Sequence, residues 1–239
     1  MELNIHPEVF DLDPSLMIAA IVCQGMTVGS RHATLDQIWA ERIPGIPRSL
    51  GAESLGQHPA VAPWRRVYSL FGAKPSKYPS SLEALLKRLV KDGTLPRIND
   101  LVDIYNWISV SHLIPAGGED LGRIIGNIRL VRAQGGETFH PLHGETLELI
   151  PAGEVIYADD LDVICRRWNW RESDRTKLTE ATHDAVIILE GLSPLDRGKV
   201  DAAAQDLAHL VRTICGGVCR VQLLDAQHPT MIFNNSAKK

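Results

Sequence analysis

Apolar residues change their spacing near residue 112. Before it they recur mostly at helical intervals, and after it they come in short runs bounded by glycine. The early exception is LMIAAIVCQ at 16–24, rich in Ile and Val and closed by Gly25, which reads as a buried strand. Helices are expected at about 34–42 and 64–72. Between them, residues 44–63 are rich in Gly, Pro and Ser and predict a connection that holds short helical turns. The clearest local signal is 80–93. Ser80 stands as the cap with Glu83 three residues on, Leu82, Leu85, Leu86, Leu89 and Val90 form one stripe, and Gly93 is the stop. Strands are then expected at 128–133, 146–150, 154–159, 162–168 and 185–191. A last helix begins at Ser193 or Asp196 and is stopped by Gly216, before a closing strand at 219–224. Helices first and strands mostly afterwards make the class α+β, built on a compact β-rich core.

The segment PRINDLVDIYNWISVS at 96–111 sets Asn99, Asp103 and Asn106 within roughly 60° of one another on a helix, opposite Leu101, Ile104 and Ile108. A solvated face is the plain reading. Surface helices, however, are usually clothed in Lys, Glu, Gln or Arg, because Asn and Asp compete for their own backbone. Three such residues on one face therefore also fit specific hydrogen bonding. Glu190 ends the apolar run AVIILE, where a carboxylate needs either donors or open solvent. RRWNWR at 166–171, read as a strand, puts Arg166, Trp168 and Trp170 on one face and Arg167, Asn169 and Arg171 on the other. That set suits either phosphate contacts with base stacking or an internal cation–π cluster. The hydroxyls of Thr176, Thr179 and Thr182 fit helix capping or substrate contacts.

A net charge of −4 over 239 residues argues against a protein that coats nucleic acid indiscriminately, so any such contact must be a local patch. With 44% hydrophobic residues the chain can bury a substantial core. The four cysteines lack zinc-site spacing and read as reduced thiols of a cytoplasmic protein. The acidic start of the chain has no basic leader. The apolar run at 16–26 falls short of the ~20 residues needed to span a bilayer. Of the nine histidines only His140 and His143 are near neighbours, on an expected turn. Nucleophile-elbow, phosphate-loop and HExxH motifs are absent, and AGGED at 116–120 lacks a dinucleotide-site context. Neither a conventional triad nor zinc catalysis is indicated, and no cofactor or metal is expected.

INDLVDIYNW at 98–107, IRLVRAQGGETFHPLHGETLEL at 128–149, EVIYADD at 154–160 and THDAVIILEG at 182–191 resemble, in this order, the tRNA-editing domain of the phenylalanyl-tRNA synthetase β subunit. The resemblance covers about residues 64–192. It implies a β-sandwich-like core of unusual topology flanked by helices in a single domain. It also implies a freestanding deacylase acting in trans on mischarged aminoacyl-tRNA. By position, Asn106 matches a pocket asparagine, Tyr105 stands where the family has a threonine, and Glu190 matches the glutamate that reads the misplaced amino acid. IPAGGEDL at 114–121 replaces the family's histidine-bearing segment, and WNWRES at 168–173 replaces a glycine pair.

On this reading residues 1–63 are an α/β segment packed on the core, 64–230 the editing domain, and 231–239 a flexible tail. Asn106 and Asp103, with backbone N–H groups near Gly117 and Gly118, position water and the oxyanion, and Asn99 and Tyr105 complete the binding wall. Arg166, Arg167, Trp168, Trp170 and Arg171 hold the acceptor end of a tRNA. An aminoacyl-tRNA synthetase is a further candidate partner, and neither DNA nor membrane is expected. Two other readings stay open: a noncatalytic tRNA-binding or synthetase-associated module, and a small-molecule amino-acid-binding protein.

Overall fold

The computed structural model describes residues 1–50, 54–142, 144 and 146–234. His143 and residues 235–239 of the expected tail lie outside them. Two sheets face each other. The smaller runs β11-β2-β10-β3, with β2 at Met17–Gln24, β3 at Ala116–Asp120, β10 at Ala185–Gly191 and β11 at Val218–Leu224, all antiparallel. The larger is built around β1 (Glu2–Ile5), β4 (Ile128–Arg132), β7 (Val155–Ala158) and β8 (Val163–Arg166). At its edges lie β12 (Thr230–Ile232), β5 (Thr138–Phe139), β6 (Glu148–Leu149) and β9 (Arg171–Glu172). The α+β class and the sandwich of unusual topology are what the chain forms. Parallel β1–β4 and β5–β8 pairs sit inside an otherwise antiparallel sheet.

Strand parity divides the core in two. Ile18, Ala20 and Val22 of β2 and Val186 and Ile188 of β10 point between the sheets, where they meet Leu3, Leu130, Tyr157 and Ile164. Ala19, Ile21 and Cys23, with Ala185, Ile187 and Leu189, point the other way. They meet helices α2 (Ala33–Glu41), α5 (Ser81–Asp92), α6 (Asp100–His112) and α7 (Arg197–Ile214). Short α1 (Pro7–Phe10) and α4 (Ala62–Leu70) add Val9, Phe10, Trp64, Val67 and Tyr68 to the inter-sheet core. The expected turns of the 44–63 connection are present as one-turn helices at Ile43–Gly45, Ile46–Ser49 (α3) and Leu55–Gln57. β1 and β2, from the first sixty-three residues, are paired within the two sheets.

Caps explain where the main helices begin and end. Ser80 accepts the Glu83 N–H and left-handed Gly93 closes α5. The reciprocal half of that expected capping box does not form, because the buried Glu83 carboxylate pairs with Arg65 at 2.6 Å and Lys87 at 2.7 Å. Asp196 caps α7 by accepting from Lys199 N–H. The four cysteines are free thiols; Cys23 and Cys219 face each other across β2 and β11, and Cys219 is partly exposed. Among the described residues no helix is long and apolar enough to cross a membrane, and no His/Cys/Asp/Glu group is placed to hold a metal.

The expected strand at 162–168 stops at Arg166. Residues 167–170 turn the chain into β9, with Arg167 at φ 45° and Trp168 at φ 67°. Two successive left-handed residues that are not glycine cost about 1–2 kcal/mol each. Burial of the Trp168 indole, and bonds from its backbone N–H to Val155 O (2.7 Å) and its Nε1–H to Glu190 (2.8 Å), offset that cost. The reading of RRWNWR as a two-faced strand is therefore corrected to a tight hairpin.

Candidate functional site

Between the sheets lies a cavity of about 430 Å³. β3 and β10 form one wall, β1, β4 and β8 another, and α5, α6 and the hairpin leading into β9 surround the opening. Its inner end is apolar: Leu3, Ile128, Ile164, Val186 and Ile188. Its outer end is marked by the exposed Arg88 and the half-buried Trp170 and Arg171. Three acidic side chains share the lining: Glu119, Glu172 and Glu190.

Glu190 follows from parity. It continues the inward series Val186, Ile188, and is 2% exposed. Tyr157 Oη–H (2.5 Å) and Trp168 Nε1–H (2.8 Å) donate to its Oε1, and Asn169 Nδ2–H (2.5 Å) donates to Oε2. Tyr68 holds Asn169 by donating to its Oδ1 at 2.8 Å. Burial pushes the Glu190 carboxyl up and the three donors pull it back.

Glu119 and Glu172 are brought together by an alternation in β3. Ala116 belongs to the core against the helices, and a Cβ on Gly118 would meet Leu178 and Ile187 there. Gly117 and Glu119 therefore face the cavity. A Cβ on Gly117 would stand 2.8 Å from Glu172 Oε1, so the missing side chain leaves room for that carboxylate. Gly118 N–H donates to Glu172 Oε1 at 2.9 Å, and the Tyr105 hydroxyl lies beside it. Burial raises Glu172 to about 7 against the pull of those two donors. Burial and the Glu172 charge raise Glu119 well above the usual range.

The folded protein thus keeps protons that the unfolded chain releases above about pH 4.3. Stability supplied by the protonated pair is complete below that pH and is lost as pH rises towards 7. Thermal denaturation should show Tm falling by roughly 3–6 °C between pH 5 and pH 8. Glu172→Gln should flatten that slope and raise Tm at pH 8. An unchanged slope would show that Glu172 does not carry the effect.

Of the expected site residues, the fold gathers Tyr105, Asn106, Gly117, Gly118 and Glu190 around the cavity. It does not gather Asn99 or Asp103. Asn99 caps α6, its Oδ1 accepting Val102 N–H (3.0 Å) and its Nδ2–H donating to Leu178 O (3.2 Å), so both ends of its amide are engaged. Asp103, with no exposure, accepts from Ile98 N–H (3.0 Å) and Arg97 Nε–H (2.5 Å). The Gly118 N–H, expected to be open to an oxyanion, is taken by Glu172.

The expected RNA-contact set divides in the same way. Arg166 is buried, with two 2.9 Å bonds to Glu154 and a third to Glu148, and Trp168 is fully buried. Both face inward, which removes them from a nucleic-acid surface. Arg167 lies 3.8 Å over the Tyr78 ring and 4.7 Å over Trp170. Trp170 and Arg171 remain at the rim. The threonine series lies outside the cavity lining, where Thr182 Oγ1–H donates to Asp120 at 2.7 Å. Sequence reasoning missed Glu119 and Glu172. A carboxylate next to the glycines of AGGED, and another inside WNWRES, were the available signals.

A model of the B3/4 domain matches residues 63–216. The chain is 42% identical over 176 residues to the phenylalanine–tRNA ligase β subunit of Bradyrhizobium diazoefficiens, covering 64% of this chain and 22% of that one. To the same subunit of Cereibacter sphaeroides it is 31% identical over 143 residues, covering 49% of this chain and 17% of that one. The chain thus spans about a fifth of the length of these relatives. An N-terminal fragment of the phenylalanyl-tRNA synthetase β subunit from Pyrococcus horikoshii aligns with a TM-score of 0.46 at 12% identity, covering 91% of this chain and 50% of that fragment.

Proposed function

Because the chain belongs to the B3/4 domain family, we propose that it is a trans-acting deacylase: it hydrolyses the ester of mischarged aminoacyl-tRNA, with the amino acid in the inter-sheet cavity and the acceptor end at its rim. The observation that carries this reading is the cavity's polarity. The exposed Arg88 and half-buried Arg171 and Trp170 offer cationic and aromatic contacts, while the buried lining combines the carboxyl groups of Glu119 and Glu172 with apolar side chains. An aminoacyl ester has the matching groups: a polyanion, an ester, an ammonium and a side chain. Arg171 supplies phosphate contact, and Trp170, edge-on to Tyr78 at 4.9 Å with Arg171 5.0 Å over its ring, an aromatic contact beside it.

Asn106 projects from α6 into the cavity and is the amide placed to orient water or steady the developing oxyanion. Such an ester is labile, so positioning water and stabilising charge supply the chemistry without a protein nucleophile. The need for a second site is physical, since an apolar synthetic pocket separates side chains differing by one methylene only ~10–200-fold. A tRNA substrate implies a cytoplasmic setting. Residues 64–230 are taken as the editing domain, with Leu3 of β1 completing its cavity wall.

One observation favours a second reading, a tRNA-binding or synthetase-associated module without turnover: Glu172 already occupies the Gly118 N–H. A panel of mischarged tRNAs decides between the two. Ester loss above the spontaneous rate, lowered about 10²–10³-fold in Asn106→Ala, supports the hydrolase. Salt-sensitive tRNA binding with no turnover on any member supports the module.

A further inference from the structure

We propose that Glu119 and Glu172 form an ammonium-binding subsite, so that the cavity accepts amino acids whose α-amine is free and rejects N-acylated ones, including the peptidyl class. The identity of the ligand rests on the function proposed above; the subsite itself rests on geometry. Glu119 is 6% exposed, lines the cavity, and its Oε2 is buried without a hydrogen-bond partner among the described residues. A buried acceptor left unmatched in this way costs free energy until a donor arrives. Glu172 is held over Gly117 by the Gly118 N–H, which places a second carboxylate at the same point of the cavity.

Of the neighbouring groups only the Thr176 hydroxyl bears on Glu119 as a hydrogen-bond donor, and being one neutral donor it supplies no charge. Glu190 has its own three donors. Arg175, whose charge reaches Glu119, is paired with Asp159 at 2.8 Å and Asp162 at 3.5 Å. Arg88 and Arg171 mark the rim, where Arg171 pairs with Glu148 at 3.6 Å. A primary ammonium brings a positive charge and three donors, enough to take the place of the proton that the pair keeps and to bridge the two carboxylates. An N-acyl group removes that charge and adds bulk where Glu172 fills the space left by Gly117.

The test uses the full chain and the amides of L-leucine, L-methionine, L-phenylalanine and L-tyrosine, each beside its N-acetyl form, with binding followed by calorimetry. At least one free-amine amide should bind about tenfold or more tighter than its N-acetyl counterpart. Glu119→Gln and Glu172→Gln, both checked for native melting, should bring that ratio close to one. Equal affinity for the paired forms, a ratio unchanged in both variants, or no binding of any amide at millimolar concentration would overturn the proposal. Hydrolysis of aminoacyl- and N-acetylaminoacyl-tRNA, measured in parallel, separates the two claims. Amine-dependent binding without hydrolysis removes the deacylase and keeps the subsite. Equal hydrolysis of both tRNA forms keeps the deacylase and removes the subsite.

Discussion

Glu190→Ala should lower the unfolding free energy by roughly 3–5 kcal/mol. The substitution strands three buried donors at once, on Tyr157, Trp168 and Asn169, and the last is itself the acceptor for Tyr68. It also removes packing from the edge of two cavities. Glu190 lines both the 430 Å³ cavity and a neighbouring one of about 250 Å³ beside Trp64, Pro115 and Leu192. The cavity left by its side chain adds a loss of packing to the loss of hydrogen bonds. Urea denaturation measures the change. Tryptophan fluorescence should report it locally as well, since the Trp168 indole packs edge-on against Trp64 at 5.4 Å. A loss under 1 kcal/mol would mean that the donors find other partners and that the carboxylate is not the hub of this network.

The second large effect is expected from Asp103→Ala, at about 3 kcal/mol. The carboxylate is fully buried and the Arg97 side chain is 8% exposed, so removing one partner leaves a charge and the Ile98 N–H uncompensated. Asp36, itself half exposed, keeps a 2.5 Å pairing with the far side of Arg97, which sets the loss at the lower end of the range for broken buried pairs. Because Asp103 stands outside the cavity lining, turnover per folded molecule should be unchanged. Asn106→Ala should show the opposite pattern, with little change in stability and a large loss of turnover. Activity normalised to the folded fraction separates these cases. A proportionate loss of turnover in Asp103→Ala would return that residue to the chemistry.

The contrast between these neighbours shows what the sequence discloses. Helical angle places Asn99, Asp103 and Asn106 on one side of α6, yet angle alone does not reveal that Asn99 lies at the cap or that Arg97 folds back onto Asp103. The start of the helix assigns the first, and a contact from outside it assigns the second. β10 was legible to the residue because its apolar run is continuous and ends at a glycine, as a strand buried on both faces requires. β3 was not. Ala-Gly-Gly-Glu-Asp has little intrinsic strand preference, and only pairing along β10 makes it one. The hairpin at 167–170 was hidden for a related reason: its left-handed residues are tolerated through contacts with β7 and β10, distant in sequence. Glu119 and Glu172 become neighbours only through β3 and that hairpin.

The register of β2 bears on how the chain can be divided. The stretch matched by the domain model begins at residue 63, yet β2 lies well before it and pairs with β10 over seven positions, from Ala185↔Cys23 to Gly191↔Met17. β11, the other neighbour of β2, also lies beyond residue 216. Excision at the limits of similarity would strip one whole flank of β10 and leave the amides and carbonyls of every second residue on that side open to any passing chain. Evolutionary likeness and autonomous folding therefore have different borders in this molecule.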